Sequence, residues 1–290
     1  MFDHIALATP YQTIDIPYPV QLTIKRLDQI HPHISGNKFF KLKHNLLAAQ
    51  EQGLNQVLTF GGAFSNHIAA TAFAAHHFGF QSIGIIRGDE LAHQMLNPTL
   101  ARAQQLGIQL HFVSRAEYRL RHDIDYLHQL QQRYPNSYII PEGGSNALAI
   151  QGCQEILSDD DLQNFDVICC AVGTGGTIAG IIEKSASHQQ ILGFSALKGD
   201  FLKQDIQHWT KKTNWSLSDA YCGNGYAKTT VELLQFIDNF ERQYSIPLEH
   251  IYTGKMMMGL FDLIQQHHFP ENTRILAIHT GGLQGKIKTY

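Results

Sequence analysis

The chain has 290 residues, 43% of them hydrophobic, and a net charge of −3, enough length to bury one large core or two modest ones. That charge gives no electrostatic argument for nucleic acid or an anionic membrane, and no apolar run reaches the roughly 18 residues of a membrane span. Four cysteines, two adjacent at 169–170 and two standing alone at 153 and 222, make no disulfide framework, so reduced thiols in a cytosol are the simple reading. The start, MFDHIALATPYQ, carries an early acid and no basic segment, so it does not read as a signal peptide.

The first predicted helix covers 38–52. Phe39, Phe40, Leu42, Leu46 and Leu47 recur near helical spacing, Gly53 closes the segment, and Ser35 or Asn37 is placed to cap it. Lys38 falls in the first turn, where a cation opposes the helix dipole. Such a position, with desolvation, lowers an amine's pKa and makes it a better nucleophile. Lys41 and Lys43 follow closely, and by periodicity alone any of the three fits a solvated surface.

A strand over 55–60 leads into Gly61-Gly62-Ala63-Phe64-Ser65-Asn66-His67 and an alanine-rich helix over 65–78. Ser65 or Asn66 caps that helix. Capping alone accounts for both residues. Backbone N–H groups and a serine hydroxyl at a helix start also suit a carboxylate. Strands over 81–87, 108–113 and 137–140 then alternate with helices over 97–106 and 116–133, and Asn97-Pro98 marks the first of these helix starts. A helix over 146–157 follows. Ser158 and the acids Asp159–Asp161 read as a turn and helix start, not a metal cluster.

The strand over 166–172 opens the most informative segment, Gly173-Thr174-Gly175-Gly176-Thr177, which a helical run continues. Glycines let successive N–H groups point into one concavity, and the helix N-terminus adds partial positive charge. A dinucleotide fingerprint needs a third glycine or alanine and an acid about 20 residues on; here those places hold Ile178 and Lys198. A P-loop needs Gly-Lys-Ser/Thr, but Thr177 follows Gly176 directly. A small monophosphate remains, held without lysine or metal. Pyridoxal phosphate fits, because its chemistry needs a phosphate anchor and a lysine that can join its aldehyde. An ordinary turn with nothing bound fits the five residues too.

The remaining predicted elements are strands over 191–197 and 274–279 and helices over 229–243 and 254–267, with Tyr244–Pro247 a turn before a short strand. This alternation implies parallel sheets covered by helices on both faces. Of seventeen histidines, His76-His77 and His267-His268 sit at helix ends, where they suit the dipole. With no HExxH and no Cys/His set at zinc spacing, no metal is expected. His279 ends a strand beside Thr280, a place that serves either a cofactor or packing.

In this order, the lysine, serine and glycine–threonine segments resemble the fold-type II pyridoxal-phosphate enzymes, the tryptophan synthase β family. Within it the chain is similar to the branch of D-cysteine desulfhydrase and 1-aminocyclopropane-1-carboxylate (ACC) deaminase. The matching stretches are SGNKFFKL at 35–42, GGAFSNHIAATA at 61–72, PEGGSNALAIQG at 141–152, AVGTGGTIAG at 171–180, YTGKMMMGL at 252–260 and ILAIHTGG at 275–282. Any one motif is weak; six in register are strong. Arg26-Leu27-Asp28 stands where the family has Arg-Asp-Asp.

The resemblance implies a two-lobed, three-layer α/β/α fold with parallel sheets. A large cofactor domain comprises 1–49 plus 146–290, and a small substrate-side domain 50–145. It implies Lys38 as the lysine linked to pyridoxal phosphate and, with Ser65, Tyr252 and Tyr226, as catalytic. Asn66 contacts the cofactor's ring hydroxyl; Gly173, Thr174, Gly175, Gly176 and Thr177 hold its phosphate; Thr280 also lies at the cofactor. Ser65, Asn66 and His67 flank a small amino-acid substrate, and the lobes close over it to exclude water. A homodimer is implied; the cytoplasmic location and the lack of a nucleic-acid or membrane partner are expected from the cysteines, charge and hydropathy instead.

Two positions separate the branches. ACC deaminases carry Glu directly after the tyrosine matched by Tyr252, and it contacts the pyridine nitrogen. Here that residue is Thr253; desulfhydrases carry Thr there and another matched by Thr280. A carboxylate keeps the ring nitrogen protonated better than a hydroxyl does. Opening a cyclopropane wants that stronger electron sink, whereas expelling a thiol from Cβ needs less. The expected reaction is therefore β-elimination from D-cysteine to pyruvate, ammonia and hydrogen sulfide. ACC deamination and cofactor binding without turnover are the alternatives. A nicotinamide oxidoreductase is disfavoured by Ile178 and Lys198.

Overall fold

A computed structural model describes residues 1–199, 201–223, 225 and 227–286. Its strands are β1 (Tyr11–Ile14), β2 (Gln21–Lys25), β3 (Gln56–Gly61), β4 (Gln81–Arg87), β5 (Ile108–Val113), β6 (Ser137–Ile140), β7 (Val167–Val172), β8 (Gln190–Ser195), β9 (Trp215–Ser218) and β10 (Arg274–Ile278). Its α-helices are α1 (Asn37–Glu51), α2 (Asn66–Phe78), α3 (Pro98–Gln105), α4 (Arg115–Arg119), α5 (Ile124–Arg133), α6 (Ala147–Gln154), α7 (Asp159–Asn164), α8 (Gly176–Lys184), α9 (Phe201–Trp209), α10 (Val231–Tyr244) and α11 (Thr253–Gln265).

The chain divides into two compact units. The first holds residues 1–6, 31–34 and 38–152; the second holds 7–30, 35–37 and 153–290. The first unit is built on a four-stranded sheet in the order β5-β4-β3-β6, parallel throughout. Buried strands alternate their side chains between two faces. Leu58, Phe60, Ile83 and Ile85 pack with Tyr118, Tyr126 and Leu130, while Ile86 and Ile108 pack with Ile68, Ala72 and Leu100. Where the sequence reading separates 50–145 from the rest, the contacts group α1 and the start of α6 with this sheet. The reasons are local: Lys41 donates to the Gly143 carbonyl and Ser145 hydroxyl, Asn45 bonds Asn146, and Phe39 meets Phe2 edge-on.

The second unit is built on a six-stranded sheet in the order β1-β2-β10-β7-β8-β9. Only the β1–β2 pair is antiparallel. β7, VICCAV, is buried at every position, as a central parallel strand requires. Its Cys169 and Cys170, like Cys153 and Cys222, are buried free thiols. Parallel strands with intervening helices are the expected α/β class. β1, β2, β9 and α9 were not anticipated. The predicted helix over 116–133 is interrupted, because Asp123 accepts from the Asp125 and Tyr126 N–H groups and starts α5 anew. Ser158 and Asp161 form a capping box that starts α7, as the sequence suggests. Among the described residues no strand lies between Pro247 and α11; Ser245 takes a left-handed conformation and Glu249 turns in to serve α11.

Candidate active site

In the second unit, strand β7 ends directly at the glycine–threonine loop. Gly175 takes φ +79, and no side chain caps α8, a helix of nine residues. Its first N–H groups have no partner within the helix, as in every α-helix. Thr177 is buried, and its hydroxyl oxygen accepts from Asn37 Nδ2 at 2.8 Å. That bond leaves the Thr177 proton to be donated elsewhere. Asn37 is the first residue of α1 and immediately precedes Lys38.

Thr280 reaches the same segment from β10. Its carbonyl accepts from the Asn37 N–H at 3.2 Å. A Cβ on Gly36 would lie 1.9 Å from that carbonyl oxygen, so only glycine permits the approach. Tyr252 completes the group. A Cβ on Gly173 would lie 2.9 Å from the Tyr252 ring and 3.3 Å from its hydroxyl, so the phenol lies against the first residue of the loop. Tyr252, Thr280, Asn37 and residues 173–177 thus converge. Tyr226 lies outside the described residues.

Glu249 sets Tyr252 in place, and sequence reasoning missed it. Its carboxylate accepts from the Ile251 N–H at 2.6 Å, the Tyr252 N–H at 2.8 Å, and the Thr253 N–H and hydroxyl at 2.5 and 3.0 Å. It caps the α11 N-terminus, where a negative charge is favoured. Burial nevertheless pushes its carboxyl above the usual range, against the pull of those donors. Replacing Glu249 by alanine strands these donors, and the relief of a buried charge offsets only part of that loss. Thermal or urea unfolding is expected to register a destabilisation of about 2 kcal/mol; an unchanged midpoint refutes the capping role. The signal was an acid four residues ahead of a helix, legible only once the turn between them is known.

In the first unit, Ser65 is the cap of α2, as expected. Its hydroxyl oxygen accepts from the Ile68 N–H at 3.2 Å, leaving its proton for another acceptor. Ser65 and Asn66 are part-exposed. The His67 side chain is only 2% exposed and turns inward. Thr59 donates to the Ile140 carbonyl, so it accepts from His67 Nε2 at 2.9 Å. The imidazole therefore carries its proton on Nε2, and Nδ1 has no hydrogen-bond partner among the described residues. Burial holds its pKa well below 6.5, helped by the charges of Lys38 and then Lys41.

The three clustered lysines now separate. Lys41 is buried on Gly143 and Ser145, and Lys43 pairs with Asp3 at 2.7 Å. Lys38 is half-buried in the first turn of α1, next to the residue that holds Thr177.

Burial also lowers the pKa of His279 from 6.5. Both buried rings are neutral in the fold, while the unfolded chain binds protons near 6.5. As pH falls below that value the unfolded state gains more protons than the native one, so stability present above pH 6.5 is lost. Calorimetry is expected to show the melting temperature falling as the pH drops below about 6.5; a level profile contradicts buried neutral imidazoles.

A family model described as pyridoxal-phosphate-dependent enzyme matches residues 8–281. The chain belongs to this family. A putative ACC deaminase of Thermotoga maritima is 30% identical over 92% of the chain and 90% of that relative. A bifunctional D-cysteine desulfhydrase/ACC deaminase, mitochondrial, of Arabidopsis thaliana is 31% identical over 93% of the chain and 74% of that relative. Among solved structures, an ACC deaminase homologue superimposes with a TM-score of 0.83 at 27% identity, covering 97% of this chain and 91% of that one.

The residues present fit pyridoxal phosphate. The uncapped α8 N-terminus, the left-handed turn at Gly175 and the spare Thr177 proton could together hold a phosphate without a lysine or a metal. Among the described residues, no cluster of three or more His, Cys, Asp or Glu could hold a metal, and no helix is long and apolar enough to cross a membrane.

Proposed function

We propose that this enzyme catalyses β-elimination on a small amino acid with a leaving group at Cβ, D-cysteine foremost, yielding pyruvate, ammonia and hydrogen sulfide. The observation that carries the choice is Thr253. It stands where the resembling ACC deaminases place a carboxylate, and its proton is committed to Glu249 at 3.0 Å. Thr280 is then the hydroxyl left for a pyridine nitrogen, a weaker electron sink that suits a thiol leaving group.

Bound pyridoxal phosphate supplies an aldehyde that links to amines and a ring that delocalises the electron pair left at Cα. Residues 173–177 hold its phosphate, and Asn66 donates to its ring oxygen. Ser65 and the α2 N-terminus hold the substrate carboxylate, with His67 behind them. Lys38 would hold the cofactor through its amine, and that amine would take the α-proton of the substrate as general base. The Cβ–S bond breaks with both electrons going to sulfur, and Tyr252 gives the sulfur a proton. The released enamine hydrolyses in water to pyruvate and ammonia.

The test is a panel of D-cysteine, L-cysteine and ACC with the holoenzyme, scored for keto acid, ammonia and sulfide. Sulfide and pyruvate from D-cysteine are expected. Turnover of ACC with none of D-cysteine overturns the choice, and no product from any amino acid leaves a binding protein. The family likeness also supports a homodimer, and four free thiols suit a cytoplasmic location; light scattering at twice the 32.6 kDa chain mass tests the dimer.

A further inference from the structure

His279 is 1% exposed at the end of β10, and its ring joins two turns. Nε2 lies 2.7 Å from the Pro247 carbonyl oxygen, which can only accept. Nδ1 receives the Gly281 N–H at 3.3 Å. One neutral tautomer, protonated on Nε2, satisfies both bonds. Asp28 Oδ1 is also 3.3 Å from Nδ1, but Arg26 occupies both Asp28 oxygens at 2.8 and 2.7 Å. The carboxylate is thus held by its own cation, and Nδ1 stays an acceptor.

What the two bonds join gives the ring its significance. Gly281 follows Thr280 and takes φ +77. Pro247 lies two residues before Glu249, which fixes Tyr252 and Thr253. We propose that His279 is a positioning residue that keeps the Thr280 turn and the Tyr252 turn in register through this single tautomer. The proposal rests on the reading of Thr280 and Tyr252 as cofactor- and substrate-side groups.

Asparagine and glutamine each reproduce one half of the ring. Asn places an acceptor near Nδ1, and Gln places a donor near Nε2. His279→Asn is expected to keep the visible absorption of bound pyridoxal phosphate while lowering kcat between about ten- and a hundredfold, because the Tyr252 turn loses its tie. His279→Gln is expected to shift that absorption and weaken cofactor affinity, because the Thr280 turn is released. Wild-type spectra and wild-type kcat in both variants overturn the proposal. A purely structural role lowers the melting temperature without separating the two signatures. If neither variant folds, ¹⁵N NMR of the wild-type imidazole decides: an Nε2–H signal unchanged between about pH 6 and 8 supports it, and an Nδ1–H signal sinks it. The tautomer is measured without substrate, so its failure is distinguishable from failure of the proposed reaction.

Discussion

Lys38→Ala is expected to cost at least about a thousandfold in turnover while leaving the protein folded. The amine is asked to do two things, to join the cofactor and to carry the α-proton, and alanine does neither. The side chain is half-buried at a helix start, where a cation opposes the dipole. The neighbouring lysines give the contrast. Lys43→Ala removes a pair whose acid, Asp3, is largely exposed, and both activity and stability should stay near wild type. Lys41→Ala strips a buried ammonium from the Gly143 and Ser145 oxygens; it should lower the melting temperature yet leave the lysine–cofactor link formed. Steady-state kinetics with thermal unfolding of the three variants checks the assignment. A Lys38 variant with near-wild-type turnover contradicts it.

Gly36→Ala is the second large effect. The added methyl would sit 1.9 Å from the Thr280 carbonyl oxygen, 2.4 Å from its carbon and 2.7 Å from the Gly281 nitrogen, at φ +67. All three atoms are backbone, so no rotamer relieves the clash. The segment must move, and with it the Asn37 bonds to Thr280 and Thr177. A destabilisation of about 3 kcal/mol or more is expected, or no soluble protein. Gly53→Ala is the control. Its φ is +68, but nothing lies within 4 Å of the added carbon, so it should cost only about 1 kcal/mol. Chemical denaturation of the two variants separates dihedral strain from collision. Equal losses would mean that the close approach of Gly36 to Thr280 is wrong.

Much of the site was legible in the sequence because its motifs are backbone devices. The Gly173–Thr177 loop announces itself, since glycines between an apolar strand and a helix leave open donors. Ser65 read correctly as a cap. Other features depend on tertiary placement. Lys38 could not be told from Lys41 and Lys43 by periodicity; the Gly143 and Ser145 oxygens that meet Lys41, and the Asp3 carboxylate that meets Lys43, come from distant parts of the chain. Glu249 reads as an ordinary acid until the chain turns back on Tyr252. Asn37 was expected only to cap its own helix, and its bond to Thr177, 140 residues away, has no local signature. The missed strands β1, β2 and β9 are four or five residues long, too short for alternation to be distinctive. In α9 only Leu202 and Ile206 are buried, a stripe too narrow to recognise among polar residues.

The central claim is that the Lys38 amine forms the covalent link to pyridoxal phosphate. Reducing the holoenzyme with borohydride and mapping its peptides locates that link directly. The account predicts a single pyridoxyl-phosphate adduct on Lys38, absent from Lys38→Ala. An adduct on Lys41, Lys43 or any other lysine, or absorbance that survives in Lys38→Ala, contradicts it.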